Sequence, residues 1–524
     1  MRASTRFLIS IAVASAALSA AVAWAETCTL ELKRVDQQNP QGSDLVYRAA
    51  NAQTIFVPIG KDGEPEGNPE PVAAFKRIVK KEPKYRLEHP FRAVLKLGSQ
   101  EYAFALDSIP PPAEKAKPDD KKAQKEEKTK KAGKSKSDKA AASITFNRLY
   151  FDLNHNGDLS DDKPIDAAKE EGVRRWGAFF QFPRVDMVIE EAGNKFDYSF
   201  FLEGQQIGAG RDSSYVILSM NPGAYREGHI TLDGKKRHVI LLDFNSNGRF
   251  NDEMRVPEGV RVSNGPIPVE QGDMLLVDPK NDNGNLLSDA DVNGNDGMHY
   301  VSKLVNIDGR FYDVKISPAG DKLTLTASSV PLGNVKNPNA KYRATIYGDL
   351  GFVDVSSEKG EAVAVPEGQW KLLSYTIDVT EVKKPKKAEE KKPSAEKAKE
   401  KKGTMLESLA QDLNALLGGS TAPDFALRQS TVSAQATDSY KPIKVVKGET
   451  VALPFGPPYK PVVAADSFED GPKREVLSLG LTLVGSAGEI CNDMTVKGGR
   501  PSKPKFTITD AKGKVVEQGS FDYG

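Results

Sequence analysis

A chain of 524 residues holds material for roughly three domains at about 150 residues each, so a sizeable core is assured. Hydrophobic residues make up 39% and charged residues 28%, the balance of globular modules joined by solvated segments rather than of one compact enzyme. The net charge of +1 conceals two lysine-rich stretches, Ala113 to Lys139 and Lys383 to Lys402. Without them and the arginines near the N-terminus the remainder is acidic by roughly a dozen charges, which argues against a folded nucleic-acid-binding surface and suits cations.

In chain order, Arg2 and Arg6 precede an apolar run from Phe7 to Val22 that ends at Ala23-Trp24-Ala25, the pattern of a signal peptide over residues 1–25. The mature protein is expected in the periplasm or outside the cell. No later stretch approaches about 18 uninterrupted apolar residues, so no membrane span is expected. Cys28 follows Glu26-Thr27 rather than the small and apolar residues that lipidation requires. An oxidising compartment allows Cys28 to bridge Cys491, closing a loop of more than about 400 residues; two free thiols are the other reading.

The fold class expected is mainly β, with several β-sandwich or β-sheet domains. An N-terminal β region spans 26–110 and includes the strand Tyr102 to Leu106. Residues 111–142, opening on Pro110-Pro111-Pro112 and rich in Ala and Lys, lack the aromatic and β-branched residues a core needs and are expected to be disordered. A β domain spans 143–335, with strands at Phe196 to Phe201, Tyr215 to Leu218, Arg237 to Leu242 and Leu323 to Thr326, and with Asp233-Gly234 and Asp308-Gly309 where tight hairpin turns belong. A small β-sandwich follows over 336–382, with Tyr342 to Tyr347, Ala362 to Val365 and Trp370 to Ile377 as strands. Residues 383–403 form a second Lys-rich disordered insert. Residues 404–419 read as an amphipathic helix, with Thr404 and Glu407 as a capping box, Leu406, Leu409, Leu413 and Leu416 as the apolar stripe, and Gly418-Gly419 as the stop. The last segment, 420–524, reads as a C-terminal β-sandwich built from Leu477 to Leu483, Lys505 to Thr509 and Lys514 to Val516.

The strongest chemical signal is Asp152-Leu-Asn154-His-Asn156-Gly157-Asp158-Leu-Ser160-Asp161-Asp162, which returns as Asp243-Phe-Asn245-Ser-Asn247-Gly248-Arg249-Phe-Asn251-Asp252-Glu253. Calcium takes six to eight oxygens, and side chains at positions 1, 3 and 5 of a loop bent by Gly at position 6 converge on one point. The carbonyl of residue 7, Asp158 or Arg249, adds a fourth oxygen. Asp161 or Asp162 in one loop, and Asp252 or Glu253 in the other, close the cage. Asn-x-Asn-Gly also serves as turn chemistry without any metal. A third cluster, Asp289, Asp291 and Asn293, repeats the 1, 3, 5 spacing without the final acid.

These loops resemble the EF-hand-like calcium loops of the D-x-D-x-D-G class found in dockerin and thrombospondin type 3 repeats, and secreted bacterial proteins that carry such loops. The resemblance implies Asp152, Asn154 and Asn156, then Asp243, Asn245 and Asn247, as side-chain ligands. Position 12 departs from it, since Lys163 and Met254 stand where an EF-hand has Glu. The run Val365-Pro-Glu-Gly-Gln-Trp-Lys-Leu372 resembles the hairpin of carboxypeptidase-regulatory-like and transthyretin-like sandwiches.

Catalytic signatures are poor. His89, His155, His229, His238 and His299 never form an H-x-x-x-H pair, and no nucleophile elbow or phosphate loop is present. The expected function is a secreted calcium-binding structural or interaction protein without catalysis. The alternatives are a module for cell-surface polysaccharide or protein, using aromatics such as Trp176, Phe179, Phe180 and Phe182, and a secreted hydrolase.

Overall fold

The computed structural model describes residues 25–35, 52–60, 64–67, 69–109, 146–167, 178–191, 193–208, 214–259, 265–279, 297–380, 429–469 and 475–522. The expected signal peptide through residue 24, both Lys-rich inserts, the helix over 404–419 and the cluster at Asp289, Asp291 and Asn293 lie outside the described residues.

The chain is mainly β, in several antiparallel sheets; some strands, such as Met274–Val277, are buried on both faces, and others show period-two burial. In Val185–Glu191, for example, Val185, Met187 and Ile189 are buried while Asp186, Val188 and Glu190 are exposed. Asp233-Gly234 and Asp308-Gly309 both adopt positive φ at their two residues (50° and 75°, 52° and 82°) and close hairpins, because that turn matches the right-handed twist of the strands it joins.

Segments on either side of the first insert belong to one sheet. The strand Gln100–Asp107 pairs with Phe91–Leu97 on one side and with Arg148–Phe151 on the other, with Phe104 opposite Phe151. The main core gathers Leu30, Val57, Leu97, Phe104, Phe151, Phe200, Leu241 and Leu325, so residues before 110 and after 145 share it. The second insert likewise falls between adjacent strands, Gly368–Asp378 and Thr431–Gln435. A second core around Trp370, Tyr375, Val335, Ala434 and Phe455 draws on both.

The helix Glu70–Ile78 was not foreseen. It is short, starts on Glu70-Pro71, and buries Val72, Ala74 and Phe75 against Phe91–Leu97. Nine residues make about two and a half turns, too short for a helical period to stand out, and a helix of that length forms only because the sheet covers it. No described helix is long and apolar enough to cross a membrane.

Candidate functional site

The first Asp/Asn/Gly loop leaves the strand Arg148–Phe151 and returns to its neighbour Ile165–Asp166. Asp152 is buried, and its carboxylate accepts the backbone N–H groups of Asn156 (3.0 Å) and Gly157 (2.9 Å), wrapping the loop around itself. His155 and Gly157 supply the left-handed backbone (φ 55° and 82°). A Cβ at Gly157 would stand 2.7 Å from the Ile78 carbonyl oxygen, so glycine is required there twice over. The side chain of Asn156 accepts from Asp158 N at 2.6 Å and donates Nδ2 to Asp161 Oδ2 at 2.7 Å, and Asn154 Nδ2 reaches the same oxygen at 3.4 Å. Asp162 accepts from Leu153 N at 3.0 Å.

The second loop repeats this construction at a more buried place. Asp243 has no exposed surface; Oδ1 accepts from Asn247 N (3.1 Å), and Oδ2 from Gly248 N (2.7 Å) and the Tyr198 hydroxyl (2.6 Å). Asn245 and Asn247 donate their amide nitrogens to Asp252 Oδ2 at 3.2 and 2.5 Å. Asn245 Oδ1 is buried with no hydrogen-bond partner. Position 11 differs from expectation. Glu253 is exposed, and the role that Asp162 plays in the first loop falls to Asp273, whose carboxylate accepts from Phe244 N (3.1 Å) and Asp252 N (2.8 Å). Sequence reasoning missed Asp273 because it lies 21 residues beyond Asp252 and belongs to no loop pattern.

Burial raises the Asp243 carboxyl above its ordinary range, against the opposing bonds from Tyr198, Gly248 and Asn247. Asp273 is raised well above its ordinary value, first by burial and then by the charges of Asp243 and Asp252. Burial and the neighbouring Asp243 push the Tyr198 phenol up as well. Asp158 goes the other way, down to about 2, held by the Ser160 hydroxyl and by Lys81 at 2.9 Å. The Arg249 guanidinium lies 3.1 Å from Asp252 Oδ1 and 3.6 Å from Glu191 Oε1.

Both loops border one hairpin, Phe91–Leu97 with Gln100–Asp107. Asn247 O accepts from Gly98 N at 2.6 Å, while His155 packs its ring on Tyr102 (4.8 Å) and places Nε2 3.1 Å from Glu101 O. Among the described residues no three His, Cys, Asp or Glu side chains converge, as they stand, on a point where a metal ion would sit. Each loop's oxygen set leans on amides and carbonyls beside its carboxylates.

Cys28 and Cys491 are free, and the bridge between them is not formed. Cys28 packs against the main core and Cys491 against the second. Desolvation raises both thiols, Cys491 to about 11, so neither is a ready nucleophile. Phe180 and Phe182 are core residues, Phe179 is half-buried, and Trp176 lies outside the described residues. Comparison with protein-family models, with curated proteins and with solved structures finds no match.

Proposed function

We propose that this chain is an exported calcium-binding protein with a structural or interaction role and no catalytic one, in which calcium rigidifies the strand-to-loop junctions at 152–162 and 243–253. The observation that carries the reading is Asn245 Oδ1, buried and without a hydrogen-bond donor beside the Asp243 and Asp252 carboxylates. A buried acceptor left unpaired costs about 1–3 kcal/mol, and a cation is the partner its neighbours suit. Asp243, Asn245, Asn247, the Arg249 carbonyl, Asp252 and Asp273 would supply oxygens in one loop. Asp152, Asn154, Asn156, the Asp158 carbonyl, Asp161 and Asp162 would supply them in the other.

Few carboxylates and amides already engaged in hydrogen bonds point to the weak range of extracellular modules, about 10⁻⁴ to 10⁻³ M. The N-terminal apolar run, which would export the chain to a calcium-rich compartment, agrees with that affinity. Titration calorimetry is expected to show calcium uptake at two sites in this range. Absence of uptake at millimolar calcium refutes the proposal.

A second reading, a polysaccharide-binding face, is favoured by Phe56, which is 55% exposed, with Tyr215 5.1 Å away on the neighbouring strand. Retention on immobilised glycans, abolished in Phe56→Ala, tests it.

A further inference from the structure

We propose that Glu227, His229 and His238 form a site for a divalent transition metal of the zinc class, independent of the calcium loops. His229 and His238 stand directly opposite each other on the paired strands Ala224–Leu232 and Lys235–Leu242. Their in-strand neighbours Ile230 and Val239 are buried, which places both imidazoles together on the other face of the sheet, at the exposed end of the cluster that buries Ile240. Glu227, two residues before His229, shares that face, and its Oε1 lies 2.8 Å from His238 Nε2. Two ligands at i and i+2 on one strand and a third opposite them on the next give three donors on one side of a pleated surface. A zinc site of the open kind needs three protein ligands and a water.

The ring spacing fits. With a zinc–nitrogen bond of about 2.1 Å, each imidazole centre lies about 3.2 Å from the metal, and two of them at a tetrahedral angle stand about 5.2 Å apart. The His229 and His238 ring centres are 5.3 Å apart, tilted by 33°. As they stand the three side chains do not converge on one point, so a metal must draw them together. His229 is exposed and must rotate a nitrogen toward its partners, and the Glu227–His238 contact must open by about half an ångström to admit the ion. Glu31, opposite Glu227 on the next strand, is held by Lys33 at 2.8 Å and is not counted among the ligands. Imidazole with one carboxylate selects zinc, nickel or copper over calcium, so the two kinds of site would not compete.

The test uses untagged protein in millimolar calcium, titrated with Co2+ and followed by the visible absorption of four-coordinate cobalt, with displacement by Zn2+. One equivalent of cobalt is expected to bind. His229→Ala and His238→Gln should each weaken binding more than about tenfold, a loss that even outer-shell changes can cause. Thr231→Ala, on the same strand, should leave it unchanged. Failure to take up cobalt, or uptake that survives both histidine substitutions, overturns the proposal.

Discussion

The calcium reading is tested most sharply at Asp161, the exposed acid at position 10 of the first loop. Its carboxylate accepts only from the amides of Asn156 and Asn154, at 2.7 and 3.4 Å, on the solvent side of the loop. Without calcium, Asp161→Ala removes two exposed hydrogen bonds and should cost below about 1 kcal/mol. A site with dissociation constant 10⁻⁴ to 10⁻³ M contributes about 1.4–2.7 kcal/mol at about 10 mM calcium. For a cooperative unit of about 200 residues that is a rise of about 3–11 °C in Tm per site. Calorimetric melting in calcium and in chelator should therefore show a calcium-induced rise in the parent protein, and roughly half of it in Asp161→Ala. An equal loss in both buffers would mean that the acid serves loop geometry alone. Asp243→Ala does not discriminate in this way: its carboxylate holds the buried Tyr198 hydroxyl and two backbone N–H groups, so it should be destabilising in either buffer.

Three further outcomes are expected. The Asp243 and Asp273 carboxyls are raised in the folded state, so their contribution to the stability of the metal-free protein is full below about pH 4 and is lost as pH rises through the raised values. A cation competes with those protons, so the calcium-induced rise in Tm should grow from about pH 5 to about pH 7.5; a rise independent of pH would sever the two carboxyls from the site. Gly248→Ala forces a Cβ to within 2.6 Å of Ile189 Cδ1 at φ +86° and should cost about 1–3 kcal/mol in urea unfolding, whereas Gly234→Ala, with nothing within 4 Å, should cost about 1 kcal/mol. Cys28 and Cys491 should react slowly with a disulfide reagent in the native protein and rapidly once it is unfolded, since burial raises both thiols.

How much was legible in the sequence follows the range of each signal. Strand identity is local: the apolar and aromatic runs within Asn194–Ile207 and Lys235–Leu242 and the Asp-Gly turns each fit within a short window. Loop construction is local too, because the bonds from Asp152 and Asp243 to the amides of positions 5 and 6 span at most five residues. Pairing across an insert is not local. Nothing in Tyr102 to Leu106 announces that its partner Arg148–Phe151 comes after the low-complexity insert at 111–142. The same holds for Asp273, which closes the second loop from another segment, and for His229 and His238, which become neighbours only through the Asp233-Gly234 turn.

The two loops also explain why any cation they hold must be held weakly. In each, the position-10 carboxylate is already contacted by amide N–H groups from positions 3 and 5, so the loop satisfies itself before an ion arrives. Binding must turn those amides to present oxygen and break bonds already made, and only the surplus appears as affinity. The second loop already offers one free oxygen, since Asn245 Oδ1 is buried and unpaired, whereas the first has no such orphan among its side chains. Calcium should therefore fill 243–253 before 152–162. Because Asn247 O accepts from Gly98 N, the ordering reaches the tip of the Phe91–Leu97 hairpin, and backbone exchange at Gly98 is the place to look for it.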